Sequence, residues 1–460
     1  MTEGHEPGNR GDDRACSYVD ISSMYSGLGR VREVAKRDSQ TQFTSLFHHL
    51  SEDLLIQGYK ALNPKATPGV DGETWDDYGT DYVNRIRDLH KRLHRGAYRA
   101  KPSKRMYLDK PDGRKRPIGI AALEDKIVQQ ATVWVLEAIY EVDFLGFSYG
   151  FRPGRSQHNA LDALYMAITT KRVNWVLDAD VKSFFDTLSH EWLVKFLEHR
   201  IGDPRLLRLI QKWLRAGVSD EGEWSSTTVG TPQGAVISPI LANIYLHYVL
   251  DLWVEQWRNR HARGEVYIVR YADDFVMGFQ YQEEAERFRR ELEKRFQAYG
   301  LTLHEQKTRL LEFGRYADKN RRDKGSGKPE TFDFLGFKHI CSKRRSDGGY
   351  KLTRKSIPSR LRDKVKAIRR TLMQHRHAPV PKIGVWLRSV VRGFFQYHAV
   401  PGNTQSLNNF RRLVISAWRH ALRRRSQKDR FKWTRIFRLA DRWLPHPRVI
   451  HPYPSQRFRV

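Results

Sequence analysis

Four residues, Tyr271-Ala272-Asp273-Asp274, lie between two apolar runs of strand length, Val266-Tyr267-Ile268-Val269-Arg270 and Phe275-Val276-Met277-Gly278-Phe279. Such runs on either side of a short polar turn predict a β-hairpin with the paired carboxylates at its tip. Paired acids on a rigid turn can hold a divalent cation. Asp also favours turns for local hydrogen bonding alone, so four residues leave both readings open.

A second acidic strand end lies upstream. Asn174-Trp175-Val176-Leu177-Asp178-Ala179-Asp180-Val181 is an apolar strand running into acids, and Lys182 to Asp186 turns it toward a helix near Ser189. An ionised Asp among Trp, Val and Leu is costly unless it is paired or binds a metal. The order strand, helices, hairpin, helix, strand predicts an α+β fold: a small antiparallel sheet with helices on one face, the two acidic turns meeting at one edge. Two Mg²⁺ ions about 3.5 to 4 Å apart between such carboxylates can drive in-line phosphoryl transfer. Mg²⁺ is expected over zinc because every candidate ligand is an oxygen.

Around these acids the chain reads in segments. Residues 1–40 are polar and expected to be a disordered N-terminal tail, and residues 41–100 an N-terminal extension with a helix from Phe43 to Leu62 and another from Tyr82 to Arg95. Met106-Tyr107-Leu108 leads into a hairpin whose loop is rich in turn formers and cations, with Lys110 and Arg116 flanking it. Phe147 to Ser156 places aromatics with Arg152 and Arg155 in a Gly/Pro turn, a composition suited to bases and phosphates. Val229-Gly230-Thr231-Pro232-Gln233-Gly234 is a glycine-containing loop opening a long apolar helix. Leu301 to Leu303 is predicted as a strand leading to Lys307, residues 315–330 as a charged loop, and Phe332 to Phe337 as a further strand.

Charge separates the chain into two parts. Lys and Arg outnumber Asp and Glu by 82 to 52, and residues 351–460 hold 28 of these cations against three acids, Asp363, Asp429 and Asp441, which is +25 of the net +30. A near-balanced part followed by a very basic one suggests an enzyme with its own polyanion clamp. No apolar run approaches bilayer length and the N-terminus is not signal-like, so no membrane partner is expected and a bacterial cytosol is the anticipated compartment. Cys16 and Cys341 form neither a disulfide framework nor zinc spacing.

Taken together, Gly69-Val70-Asp71-Gly72, Phe151 to Ser156, Thr231-Pro232-Gln233-Gly234, Tyr271 to Asp274 and Phe334-Leu335-Gly336-Phe337 resemble the ordered blocks of group II intron reverse transcriptases. The resemblance implies a right-hand polymerase: fingers and a ferredoxin-like palm over residues 101–345, then a basic α-helical thumb or maturase (X) domain over residues 356–460. It implies that Asp180 and Asp273 ligate two Mg²⁺ ions, that Asp274 assists and that the Val181 carbonyl completes a site. It implies further that Lys110 and Arg116 hold the triphosphate, that Phe185 or its neighbour Phe184 excludes a ribose 2′-hydroxyl, and that Gln233 lines the nucleotide pocket. Lys307 would donate a proton or contact phosphate, Asp178 and Asp186 would be structural, and Phe334, Leu335 and Gly336 would grip the primer. Arg152, Arg155 and Arg392, the last within Arg392-Gly393-Phe394-Phe395-Gln396-Tyr397, would contact nucleic acid. The implied partners are intron RNA as template, a DNA primer or target, and dNTPs.

Two departures stand out. Ala235 occupies a position where family members carry a second glycine, and no zinc-binding or His-Asn-His pattern is found, so a form lacking a C-terminal endonuclease domain is expected. The expected activity is RNA-directed DNA synthesis with assistance to splicing. A splicing cofactor without synthesis, and a reverse transcriptase domesticated for defence or diversification, are the competing readings.

Overall fold

The protein is seen here in a computed structural model, which describes residues 26–109, 115–220, 223–225, 229–231, 234–426 and 432–458. The disorder expected of the first residues, and Lys110 and Gln233 of the expected nucleotide pocket, lie outside the described residues. In chain order the strands are β1 (Ser103–Asp109), β2 (Lys115–Ile120), β3 (Trp175–Asp180), β4 (Val218–Asp220), β5 (Glu223–Ser225) and β6 (Val266–Tyr271). They continue with β7 (Asp274–Phe279), β8 (Arg309–Glu312), β9 (Phe332–Phe334), β10 (Phe337–Lys343) and β11 (Tyr350–Ser356).

The central sheet has the order β6-β7-β3-β8 and is antiparallel throughout. Its strands alternate between two cores, as a period of two requires. Leu177, Ala179, Ile268, Phe275, Met277 and Phe279 join a large core with Phe288, Leu292 and Phe296 of the helix Gln282–Ala298. Val176, Val269, Val276 and Leu311 face a smaller core with Ala160, Leu161, Leu164 and Ile168 of the helix Gln157–Thr170. Helices therefore cover both faces, not one. The one-sided expectation failed because both sets of alternate residues are apolar, the pattern of a sheet buried on both sides.

A second sheet, β2-β1-β4-β5, carries the β1–β2 hairpin, and a third, β11-β10-β9, extends the smaller core. The single strand expected over Phe332 to Phe337 is a tight hairpin. Phe334 pairs with Phe337, and Leu335 and Gly336 both have positive φ (44° and 79°), a two-residue turn whose twist matches the flanking strands. The strand expected at Leu301 to Leu303 is only a bridge from Leu303 to Val181. The chain turns as Thr308 N–H donates to the His304 carbonyl, and β8 takes the place beside β3. Residues 315–330, expected as a loop, include the helix Ala317–Asp323.

The N-terminal residues are not a separate layer. The expected tail gives way to a helix, Ser26–Arg37, that buries Leu28, Val31 and Ala35 against the helix Leu123–Asp143. The helix expected from Phe43 to Leu62 is shorter, Glu52–Ala61, because the Asp203 carboxylate takes the N–H groups of Leu46 and Phe47 (2.8 Å each) and Ser51 caps the helix by accepting from Leu54. The basic C-terminal region folds around its own core, with Leu387, Val391, Phe410, Val414, Trp418 and Ile436 from the helices Val380–His398, Thr404–Arg423 and Trp433–Trp443. The chain then returns to the smaller core's helix, where Arg457 meets Asp162 at 3.3 Å. Among the described residues no helix is long and apolar enough to cross a membrane.

Candidate active site

The β6–β7 hairpin closes through Ala272 and Asp273, with Tyr271 paired to Asp274. Ala272 has φ 56°, a left-handed conformation that costs a non-glycine residue about 1 kcal/mol. On the neighbouring strand Asp180 lies directly across from Asp274. Cross-strand partners and residues two apart share a face, so Asp178, Asp180 and Asp274 stand on one face at one end of the sheet, with Asp273 beside them on the turn. The acidic strand end and the acidic hairpin meet as expected from the sequence.

So much negative charge in one place is visible in the carboxyls themselves. Burial first, then Asp178, Asp273 and Asp180, pushes Asp274 up to about 8. Burial and then the Asp180 charge also raise Asp273, against a downward pull from Arg116 and Arg270, and burial raises Asp178 to about 6 despite Arg309 at 3.4 Å. Lys307 Nζ lies 2.5 Å from Asp180 Oδ2. Asp180 is held in place by its own backbone, whose carbonyl accepts from His304 N–H at 2.8 Å, while Val181 bridges to Leu303.

Other expected residues gather around this end of the sheet. Arg116 on β2 is close enough for its charge to be felt at Asp273. The Phe185 carbonyl accepts from Thr231 N–H at 2.7 Å and the Leu188 carbonyl from Gly230 N–H at 2.7 Å, which ties the glycine-containing loop to the turn after β3. Phe185 is half-buried beside this junction, whereas Phe184 is buried in the core against Tyr245. Gly234, at φ 112°, lies against β2, where an added Cβ would come within 2.7 Å of Ile118, and Ala235 next to it is buried. The Leu335-Gly336 turn is fastened to the C-terminal region by Tyr397, whose hydroxyl donates to the Leu335 carbonyl at 2.8 Å.

Some expected nucleic-acid contacts have other employment. Arg152 is buried, pairs with Glu141 at 3.0 Å and donates to the carbonyls of Leu145 and Ser148. Arg155 is half-buried and donates to the Gly146 and Ser148 carbonyls. Phe334 is buried in the smaller core, and Arg392 is exposed on its helix. Buried Arg in a Gly/Pro turn satisfies loose carbonyls, and composition alone cannot separate that use from phosphate binding. Sequence reasoning missed Arg360, whose charge lowers Asp274, and the buried Asn243, Asp251 and Arg270. An arginine ending an apolar strand, just before two acids, was the available signal for Arg270.

Residues 108–339, half of the chain, match the reverse transcriptase (RNA-dependent DNA polymerase) family. The chain belongs to the reverse transcriptase family. It is 38% identical over 241 residues to protein YkfC of Escherichia coli K12, an alignment covering 46% of this chain and 63% of that protein. It is 39% identical over 213 residues to an uncharacterized 91 kDa protein in the cob intron of Schizosaccharomyces pombe, covering 46% of this chain and 26% of that protein. Group II intron-encoded protein LtrA of Lactococcus lactis subsp. cremoris is 31% identical over 309 residues, covering 63% of this chain and 50% of LtrA. The chain thus spans between about a quarter and two thirds of these relatives' lengths. The resemblance to intron-encoded reverse transcriptases stands.

Reverse transcriptases generally use divalent metal ions, and the donors here suit one. Among the described residues no three His, Cys, Asp or Glu side chains stand ready-made around an ion. The carboxyls nevertheless raise one another's proton affinity, so a bound cation would relieve a repulsion already present in the fold. Carboxylate and carbonyl oxygens are the donor set of Mg²⁺.

Proposed function

We propose that this chain is an RNA-directed DNA polymerase that copies RNA into cDNA and binds a group II intron RNA to assist its splicing and mobility. The observation that carries this reading is the meeting of Asp180 with Asp273 and Asp274 at one end of the central sheet, beside the hairpin that bears Arg116. The sheet would be a ferredoxin-like palm, the β1–β2 hairpin part of the fingers, and the helices after β11 a thumb. Asp180 and Asp273, assisted by Asp274 and the Val181 carbonyl, would hold two Mg²⁺ ions, which when bound supply the charge that favours a primer 3′-hydroxylate and a leaving pyrophosphate.

The chain's own residues do the rest. Arg116, and by the family resemblance Lys110, would hold the incoming triphosphate. Phe185 excludes a ribose 2′-hydroxyl, and Gln233 would line the nucleotide pocket. Lys307 compensates Asp180 and serves as proton donor or phosphate contact. Leu335 and Gly336, held by Tyr397, offer backbone to the primer. Most of the cations of residues 351–460 follow β11 in the sequence, in the helical region with its own core, an arrangement suited to gripping RNA.

The test is primer extension: the purified full chain, an RNA template with an annealed DNA primer, dNTPs and Mg²⁺. cDNA of template length is expected. Absence of cDNA together with accelerated splicing of a cognate intron would install the splicing-cofactor reading instead.

A further inference from the structure

Directly behind the acidic turn lies a charged pair that the mechanism above does not use. Arg270 and Asp251 are wholly buried, and the guanidinium grips the carboxylate through Nε (2.7 Å) and Nη2 (2.5 Å). Arg270 Nη1 donates to Asn243 Oδ1 (3.0 Å) and to the carbonyl of Ala272 (3.0 Å), the residue in the left-handed conformation. Asn243 in turn donates its amide N–H to the Gly150 carbonyl at 2.8 Å. Gly150 is pressed against the backbone of the turn, so tightly that an added Cβ would lie 2.2 Å from Ala272 N.

The helical chain that supplies these partners is adapted to do so. Asn243 lies in the α-helix Ser238–Leu246 and Asp251 closes the π-helical turn His247–Asp251. Eight residues apart on a regular α-helix, the two would be offset by about 80°. The wider π turn between them reduces that offset, so both reach one guanidinium, and π turns of this kind gather at functional sites. A buried ion pair is weak support for stability, since packed aliphatic residues serve as well. What an aliphatic pair cannot do is donate a hydrogen bond to the carbonyl of a strained residue one position before a metal-binding aspartate.

We propose that Arg270, anchored by Asp251 and Asn243, is a positioning residue that sets the Ala272-Asp273 turn in its metal-receiving shape before any cation arrives. The proposal rests on the reading of Asp273 as a metal ligand. Partners one step behind a ligand tune metal affinity by about 10- to 100-fold in other sites.

The test uses full-length wild-type, Asn243→Ala, Asp251→Asn and Asp273→Asn proteins, with Mn²⁺ as probe. Free Mn²⁺ is followed by its EPR signal, alongside thermal melting, and primer extension gives the Mg²⁺ requirement and the KM for primer–template. Folded Asn243→Ala or Asp251→Asn protein is expected to bind Mn²⁺ at least about tenfold more weakly. Its half-saturating Mg²⁺ should rise in parallel while the primer–template KM stays unchanged. Unchanged Mn²⁺ affinity in a folded variant, with Asp273→Asn binding lost, would overturn the proposal and leave the metal reading intact. Wild-type protein that takes up no Mn²⁺ would overturn the metal reading, and the proposal with it. Should both network variants unfold, hydrogen exchange on wild-type protein decides. Slow exchange of residues 271–274 in EDTA, unaltered by Mg²⁺, supports a turn shaped in advance; protection that appears only with Mg²⁺ overturns it.

Discussion

Gly150 is a residue whose missing side chain matters. An added Cβ would meet the backbone of Tyr271 and Ala272, and neither is a flexible side-chain end that could give way. Gly150→Ala is therefore expected to push the Ala272-Asp273 turn and lower primer extension by at least about tenfold, with about 1 to 3 kcal/mol lost from stability. Chemical denaturation beside single-turnover extension would check both. Phe185 makes the complementary case. Phe184 is committed to the core and Phe185 is half-buried, so in the proposed reading Phe185 is the one to meet a sugar. Phe185→Ala should reduce the preference for dNTPs over rNTPs in kcat/KM by about tenfold or more, as a lost steric barrier allows. An unaltered ratio would remove that role from Phe185.

Elements carry the next set of consequences. The β9–β10 hairpin is fastened to the C-terminal region by the Tyr397 hydroxyl, reaching the Leu335 carbonyl, and by Phe337 against the rings of Tyr397 and His398. Tyr397→Phe should destabilise the fold by about 1 kcal/mol and weaken primer affinity, read from urea unfolding and from the KM for primer. The terminal segment depends on His158, whose ring stacks 3.7 Å from His451. Burial first, then His451 and Arg457, holds His158 down to about 3, below its ordinary 6.5. Its depressed folded value means that the contribution to stability is complete above pH 6.5 and declines as pH falls through the interval toward 3. His158→Phe should flatten that decline, worth about 1 kcal/mol near pH 5.5, in melting curves collected between pH 7 and 5. At this scale the sequence was legible where apolar periodicity was strong, as in β3, β6, β7 and the helix Gln282–Ala298. It misled where a distant group decided the local structure. The Asp203 carboxylate shortens the helix after Phe43, and β8, taking the place beside β3, leaves the strand expected at Leu301 only a bridge from Leu303 to Val181. No local pattern announces either contact. The same holds for Arg152 and Arg270: each is one arginine among many, and only burial tells them from the surface cations.

Across the whole molecule, two designs coexist. The larger core merges the N-terminal helices, the long helix Leu123–Asp143 and one face of the central sheet, while the cationic helices keep a core of their own. The change in charge near residue 351 falls close to this division, although β11 pairs with β10 on the smaller core and the final residues return to Asp162. If the cationic region grips RNA, the logarithm of affinity should fall steeply with the logarithm of salt concentration, by about 0.7 to 0.9 per neutralised phosphate. A flat response in filter binding would exclude that role. The most direct measurement of the central claim compares wild-type and Asp273→Asn protein in Mg²⁺-dependent extension of a DNA primer on an RNA template, with RNA affinity measured on the same preparations. The two-metal reading requires cDNA from the wild type, none above background from the variant, and equal RNA binding by both. Extension by Asp273→Asn at the wild-type rate would contradict it.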